Sequence, residues 1–166
     1  PLRAAEFGQG QLDLCLVTHG HGDHLAPRTI PALNERTDCR FVVPLSCTER
    51  MLALGVKPER IVDAVHGQRI AHRHLTIDPV KALHGHVQGS VYREANFQDC
   101  GYLIGDGRWR IFHPGDSVLL HEHLEMAHPD VFLVSITEHN MWVHNSALLA
   151  TLFGPQYIVP MHYDTY

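Results

Sequence analysis

Positions 18–24 read Thr18-His19-Gly20-His21-Gly22-Asp23-His24, directly after the apolar run Leu14-Cys15-Leu16-Val17. His19, His21, Asp23 and His24 are all metal-competent, and imidazole with carboxylate suits Zn²⁺, Mn²⁺ or Fe²⁺. The two glycines are expected to lower the steric cost of a turn that gathers these side chains. Alternating histidines can also line one face of a strand, but the embedded glycines and Asp23 disfavour a regular strand here. The chemistry these residues point to is metal-dependent hydrolysis.

The elements that must position them alternate in type. Asp13–Thr18 reads as a buried strand, Pro27–Leu33 as a short helix and Arg40–Val43 as a second strand. A helix is expected from Ser46, with Ser46 and Glu49 as a capping box and Gly55 as its left-handed C-terminal residue. Ile61–Val65, Arg69–His74 and Thr76–Leu83 read as strands, with a turn at His66-Gly67-Gln68. Asp106-Gly107 predicts a hairpin between Phe97–Ile104 and Arg108–Phe112. Leu119–Met126 reads as helix and Val131–Ile136 as strand. Asn145 can cap a helix through Leu152, ended by Gly154-Pro155, before a last strand at Tyr157–Val159. Asp13–His19 and Asp130–Ser135 share a faint pattern of Asp, apolar strand and polar loop. The expected class is α/β, rich in both hairpins and crossovers, with no glycine-rich phosphate loop.

Composition narrows the function classes. The chain has 166 residues, and 18.7 kDa suits one domain over residues 1–166. A 45% hydrophobic and 19% charged composition is globular in character. No apolar stretch approaches the ~20 residues of a membrane span. The formal charge of −5, with no Lys/Arg block, does not favour a nucleic-acid groove. A small-molecule substrate is expected instead. Cys15, Cys39, Cys47 and Cys100 form no CxxC pair; Cys15 and Cys100 lie in apolar runs as buried free thiols do. Reduced, cytoplasmic chemistry is expected over a Cys39–Cys47 disulfide. The compositional anomaly is 15 histidines.

Four blocks in order resemble the metallo-β-lactamase fold. They are the HxHxDH signature at His19, His21, Asp23 and His24; Gly85-His86-Val87-Gln88-Gly89; His113-Pro114-Gly115-Asp116; and Val159-Pro160-Met161-His162. The resemblance implies an αββα sandwich of mixed sheets with outer helices. It also implies a dinuclear centre of Zn or Mn, with Fe as a third candidate. His19, His21 and His86 would hold one metal, Asp23, His24 and His162 the other, and Asp116 would lie between them. His84 competes with His86 for its place; Gly89 matches the family spacing and favours His86. Asp23 could also act as a base or orient the water, so one metal or two both fit. Asp23 and Asp116 are thus the candidate catalytic carboxylates. The reaction implied is hydrolysis by a metal-bound hydroxide, which two cations generate and whose oxyanion they stabilise.

His66, His72, His74, His113, His121, His123, His128, His139 and His144 read as surface, supporting or structural residues. His113, close to the Asp116 turn, could orient a ligand. Within the fold the chain is most similar to the branch containing L-ascorbate-6-phosphate lactonase. The similarity lies in Gly55–Arg60, in Ser135-Ile136-Thr137-Glu138 and in the Pro160-Met161-His162-Tyr163-Asp164 segment. A lactone or other ester is therefore the first expected substrate and a phosphodiester the second. The loop Asn140–Ser146 lacks the lysine of the lactonase pattern, which weakens the case for the same anionic substrate. Only residues 1–18 precede His19, so the family's usual N-terminal strands are expected to be lacking, and the exposed sheet could then demand a partner, such as a homo-oligomer. A catalytically idle metal-binding or assembly protein on the same fold is the contrasting expectation. Trp142, Tyr163 and Glu138 fall in loops near the expected site. Arg93 and Glu94 could form a gate, and Arg28 reads as a solvated surface residue.

Overall fold

The computed structural model describes residues 3–85, 91, 93, 95–137 and 140–162. The chain divides into two compact units, Pro1–Ala64 and Val65–Tyr166.

The first unit is a parallel three-stranded sheet, β1 (Leu14–Leu16), β2 (Arg40–Pro44) and β3 (Ile61–Ala64), in that order. Parallel neighbours need crossovers. These contain α1 (Thr29–Arg36) and α2 (Thr48–Ala53). The central strand is the apolar one, as burial on both faces requires: Phe41, Val42 and Val43 are fully buried. Phe41 and Val43 join Val17, Leu25, Ile30, Leu33, Cys39, Cys47, Met51 and Val56 in one core cluster. Pairing along β1 extends beyond its formal ends. Arg40 N–H donates to Asp13 O at 3.0 Å and Val17 N–H to Val42 O at 2.9 Å, close to the expected Asp13–Thr18.

Two expectations about helices in this unit need correcting. α1 spans Thr29–Arg36, about half a turn later than the predicted Pro27–Leu33, and buries Ile30 and Leu33. The Ser46–Glu49 capping box does not form. Leu45–Cys47 is a 3₁₀ turn running straight into α2, so Cys47 occupies the N-cap and no side chain caps it. The C-terminal expectation holds. Gly55 has φ +85°, its N–H donates to Leu52 O at 2.9 Å, and Val56 N–H reaches Met51 O at 3.1 Å. This paired closure is the Schellman arrangement; Val56 and Met51 are then buried in the same core.

The second unit is a six-stranded mixed sheet in sequential order: β4 (Ile70–His72), β5 (Leu75–Lys81), β6 (Cys100–Gly105), β7 (Arg110–His113), β8 (Val131–Ser135) and β9 (Tyr157–Met161). The pairings from β4 to β7 are antiparallel, and those of β7 with β8 and β8 with β9 are parallel. The predicted hairpin joins β6 to β7, with Gly107 at φ +87°. The crossovers that follow contain α3 (His121–Glu125) and α4 (Trp142–Phe153). Phe112 and Phe132 stack at 5.7 Å, and Phe153 meets both edge-on at 6.0 and 5.5 Å. Leu103, Val134, Met141 and Leu149 complete this core.

α4 starts three residues before the predicted Asn145 cap. Buried Ser146, inside the helix, donates to Ser135 O at 2.6 Å, tying the first turns of α4 to the end of β8. Packing thus overrides the capping preference of Asn145. The last strand runs past Val159, its predicted end, through Pro160 to Met161. β9 is the sheet's outer strand, and an edge strand tolerates the missing N–H of proline. The α/β class with mixed sheets and helices is as expected. No strand precedes β1 among the described residues.

Candidate metal centre

In the first unit the signature follows the end of β1 and then closes in a tight turn. His24 N–H donates to His21 O at 3.1 Å and Leu25 N–H to the same carbonyl at 2.7 Å. Leu25, fully buried, anchors that turn in the core. A bond from Arg50 of α2 holds the Gly20 carbonyl. The turn needs no left-handed backbone at Gly20 or Gly22, since neither has positive φ. A side chain at Gly22 would meet open space, and one at Gly20 would come no closer than 3.8 Å to Cys47 Sγ. The steric reason expected for these glycines is therefore not the operative one.

The turn gathers the imidazoles. The His19 ring lies 4.7 Å from that of His21 and 4.1 Å from that of His24, centroid to centroid. Asp23 Oδ2 is 3.5 Å from His24 Nε2, with the carboxylate largely exposed. His19 is buried, whereas His21 and His24 are partly open. Thr18, quoted in the signature but given no role by sequence reasoning, places its hydroxyl 3.0 Å from His19 Nδ1 and 3.3 Å from His24 Nδ1.

In the second unit the donors come from three segments at one end of the sheet. Asp116 follows β7, His162 follows β9, and His84 lies beyond β5. Asp116 is buried and flanked on both oxygens: His84 Nε2 is 3.5 Å from Oδ2, and His162 Nε2 is 2.9 Å from Oδ1. His162 has φ +59°, a left-handed conformation that costs a non-glycine residue about 1–3 kcal/mol and concentrates at functional sites.

Backbone bonding explains how His84 reaches Asp116. Val118 N–H donates to Leu83 O at 2.9 Å, while Leu83 N–H donates to Ser117 Oγ at 3.0 Å. Ser117, wholly buried, uses its own hydrogen on Val118 O at 2.8 Å. The segment entering His84 is thus laced to the segment leaving Asp116. His84 Nδ1–H donates to Gly85 O at 2.6 Å, turning Nε2 toward the carboxylate. Burial pulls the His84 pKa down, but the bonds to Asp116 and Gly85 and the charges of Asp116 and Asp99 outweigh it, and the net shift is upward. A pocket that favours positive charge on this ring also suits a cation beside it.

His113, expected as a residue that could orient a ligand, bonds backbone: its Nδ1 accepts the Gly115 N–H at 3.0 Å in the turn into Asp116. Gly101, overlooked in the sequence, matters for the same turn. A Cβ there would lie 2.8 Å from His113 O and 3.0 Å from Pro114 O. Other histidines have structural posts. His66 Nε2 bonds Asp99 O, and buried His123 accepts Leu120 N–H and bonds Lys81 O. His121 pairs with Glu125 on the surface, and His128 packs on Phe153. Trp142 begins α4 with φ +64°, and Arg28 is exposed. The sequence candidates His86, Gly89, Glu94, Glu138, His139 and Tyr163 lie outside the described residues.

A His19 ring close to those of both His21 and His24, and a buried carboxylate with an imidazole at each oxygen, suit a divalent cation and are groupings a packed core avoids. Family comparison agrees. The model of the beta-lactamase superfamily domain matches residues 2–163. The chain belongs to that family. A UPF0173 metal-dependent hydrolase from Desulfitobacterium hafniense is 33% identical over 165 residues, spanning 93% of this chain and 67% of the relative. The superfamily assignment makes a metal-dependent hydrolase the general class, and the relative's name specifies no substrate. Among solved structures, a protein from Parabacteroides distasonis superposes with TM-score 0.78 at 23% identity, covering 98% of this superfamily domain and 70% of that chain. The metallo-beta-lactamase fold protein YhfI from Bacillus subtilis gives 0.73 at 16% identity, covering 97% and 66%. These similarities establish the fold. No described helix is long and apolar enough to cross a membrane.

Proposed function

We propose that this superfamily domain hydrolyses a lactone or other small uncharged ester, using two divalent ions, Zn²⁺ or Mn²⁺, with Fe²⁺ suited to the same donors. The observation that carries the proposal is Asp116, whose two carboxylate oxygens each face a different imidazole. A carboxylate so divided is suited to lie between two cations. On the pattern of the family, His19 and His21, with His86 or His84, would hold one ion; Asp23, His24 and His162 would hold the other, with Asp116 common to both. The bound ions supply Lewis acidity that lowers the pKa of water and polarises the substrate oxygen.

The chain's own residues have separate tasks. Exposed Asp23 beside His24 can accept a proton from incoming water at its free oxygen. His113 and Ser117 keep the Asp116 turn in place. The loop Asn140–Ser146 contains no lysine or arginine, which supports an uncharged ester over a phosphodiester, the second reading. Four cysteines held as thiols suit a reducing compartment such as the cytoplasm.

Elemental analysis of purified protein, with His24→Ala and His162→Ala beside it, tests the metal reading. The expected result is close to two ions per chain in the parent and fewer in each variant. A panel of lactones and phosphodiesters with Mn²⁺ or Zn²⁺ then tests the reaction. Turnover of phosphodiesters alone would replace the ester reading with the second one. A metal-replete protein inert toward both would leave the assembly-protein reading in its place.

A further inference from the structure

Thr18 is buried immediately after β1, where Val17 still pairs with β2. Its hydroxyl oxygen lies 3.0 Å from Nδ1 of His19 and 3.3 Å from Nδ1 of His24. The two rings are 4.1 Å apart. One oxygen therefore faces the same nitrogen of two different histidines, and on each ring Nε2 is the nitrogen turned away from it.

A hydroxyl has one hydrogen and two lone pairs. A neutral imidazole that ligates a cation through Nε2 carries its hydrogen on Nδ1, and that N–H needs an acceptor. Two such imidazoles need two acceptor sites, and Thr18 Oγ1 offers two. We infer that Thr18 is a positioning residue that accepts Nδ1–H from both His19 and His24, fixing the tautomer and tilt of one ligand in each of the two metal sites. The inference rests on the two-ion reading, in which His19 and His24 serve different ions. Its consequence is coupling: removing one oxygen weakens both sites together, although Thr18 itself touches neither ion.

Thr18→Val keeps nearly the same shape and removes the oxygen, while Thr18→Ser keeps the oxygen. Zn²⁺ affinity is measured for both sites by chelator competition, and long-range ¹H–¹⁵N spectra of the imidazoles are recorded for the metal-free and Zn²⁺-loaded forms. In the parent, Zn²⁺ loading should leave His19 and His24 protonated at Nδ1. Thr18→Val should lose affinity at both sites by about 10–100-fold, the usual cost of removing a ligand's supporting partner. Thr18→Ser should stay near the parent. Parent-like affinity at both sites in Thr18→Val, or loss at one site only, would overturn the inference and leave the two-ion reading standing. A parent that binds no Zn²⁺ would overturn both. In that case the metal-free spectra still report on Thr18, because Nδ1 resonances of His19 and His24 unmoved by Thr18→Val would show that the hydroxyl does not govern them. If Thr18→Val fails to fold, Zn²⁺-loaded parent spectra with either ring protonated at Nε2 decide against the inference, and Nδ1 protonation of both with intact Thr18→Ser affinity decides for it.

Discussion

Ser117 Oγ accepts the Leu83 N–H at 3.0 Å, and with the Val118 N–H bond to Leu83 O it joins the segment bearing His84 to the segment bearing Asp116. Ser117→Ala leaves the Leu83 N–H without that acceptor, which costs about 1–3 kcal/mol when the group is buried. The expected outcome is a lower unfolding midpoint accompanied by weaker metal retention. Chemical denaturation and metal content measured on the same preparation check it, and a loss of stability with unchanged metal affinity would separate Ser117 from the site.

Gly101→Ala pushes a methyl group against the backbone of the turn that leads to Asp116, with His113 O only 2.8 Å away. Backbone cannot rotate aside as a side chain can, so overpacking by about 1–3 kcal/mol is expected. Denaturant titration reads the stability. A variant as stable as the parent would mean the turn has room to shift.

His123 gives a pH dependence with a defined sign. Burial pulls its pKa below the ordinary 6.5, against the opposing influence of the Lys81 carbonyl and Glu122. Below that pH the unfolded chain takes up a proton that the folded chain resists, so stability falls as pH drops beneath about 6.5. In His123→Gln the fall between pH 7 and pH 5 should be shallower. Thermal melts across that range decide, and parallel curves for the two proteins would assign the acid sensitivity elsewhere.

Burial, then the proximity of Cys39, pushes the Cys15 thiol up to about 12. Cys15 should therefore resist iodoacetamide at pH 8 in the folded protein and react once urea unfolds it, because the thiolate is the nucleophile. Mass spectrometry of the alkylated chain reads this directly. The same shift implies stability lost above about pH 9, the thiol's ordinary range, where only the unfolded chain releases the proton.

Much of this arrangement was legible in the sequence because short-range rules govern it. Asp106-Gly107 can form its tight hairpin with Gly107 left-handed, and Gly55 can close α2, whatever surrounds them. The signature was legible because His19, His21, Asp23 and His24 are neighbours in the chain. Long-range choices were less so. Ser46 and Asn145 are good caps in isolation, yet Cys47 and Met141 occupy the caps because packing of Met51 and Leu149 sets where the helices begin. Between His84 and His86 the family spacing of Gly89 favours His86, which lies outside the described residues; the place of His84 is a separate matter that the sequence does not show. His84 lies against Asp116 through a contact 32 residues away along the chain, mediated by Ser117. Gly101 escaped notice because its role exists only once another segment arrives beside it, and Thr18 because its contact with His24 depends on how the intervening turn closes.

The Asp130 backbone and carboxylate tie three strands at their starts: its N–H reaches Arg110 O at 2.8 Å, its carbonyl takes Tyr157 N–H at 3.0 Å, and its Oδ2 takes Arg110 N–H at 2.7 Å. β7, β8 and β9 are thus registered at the end opposite to Asp116 and His162. Strand alignment and the candidate metal donors lie at opposite poles of the sheet. Substitutions in the loops that carry Asp116 and His162 can therefore leave in place the bonds that keep the strands in step.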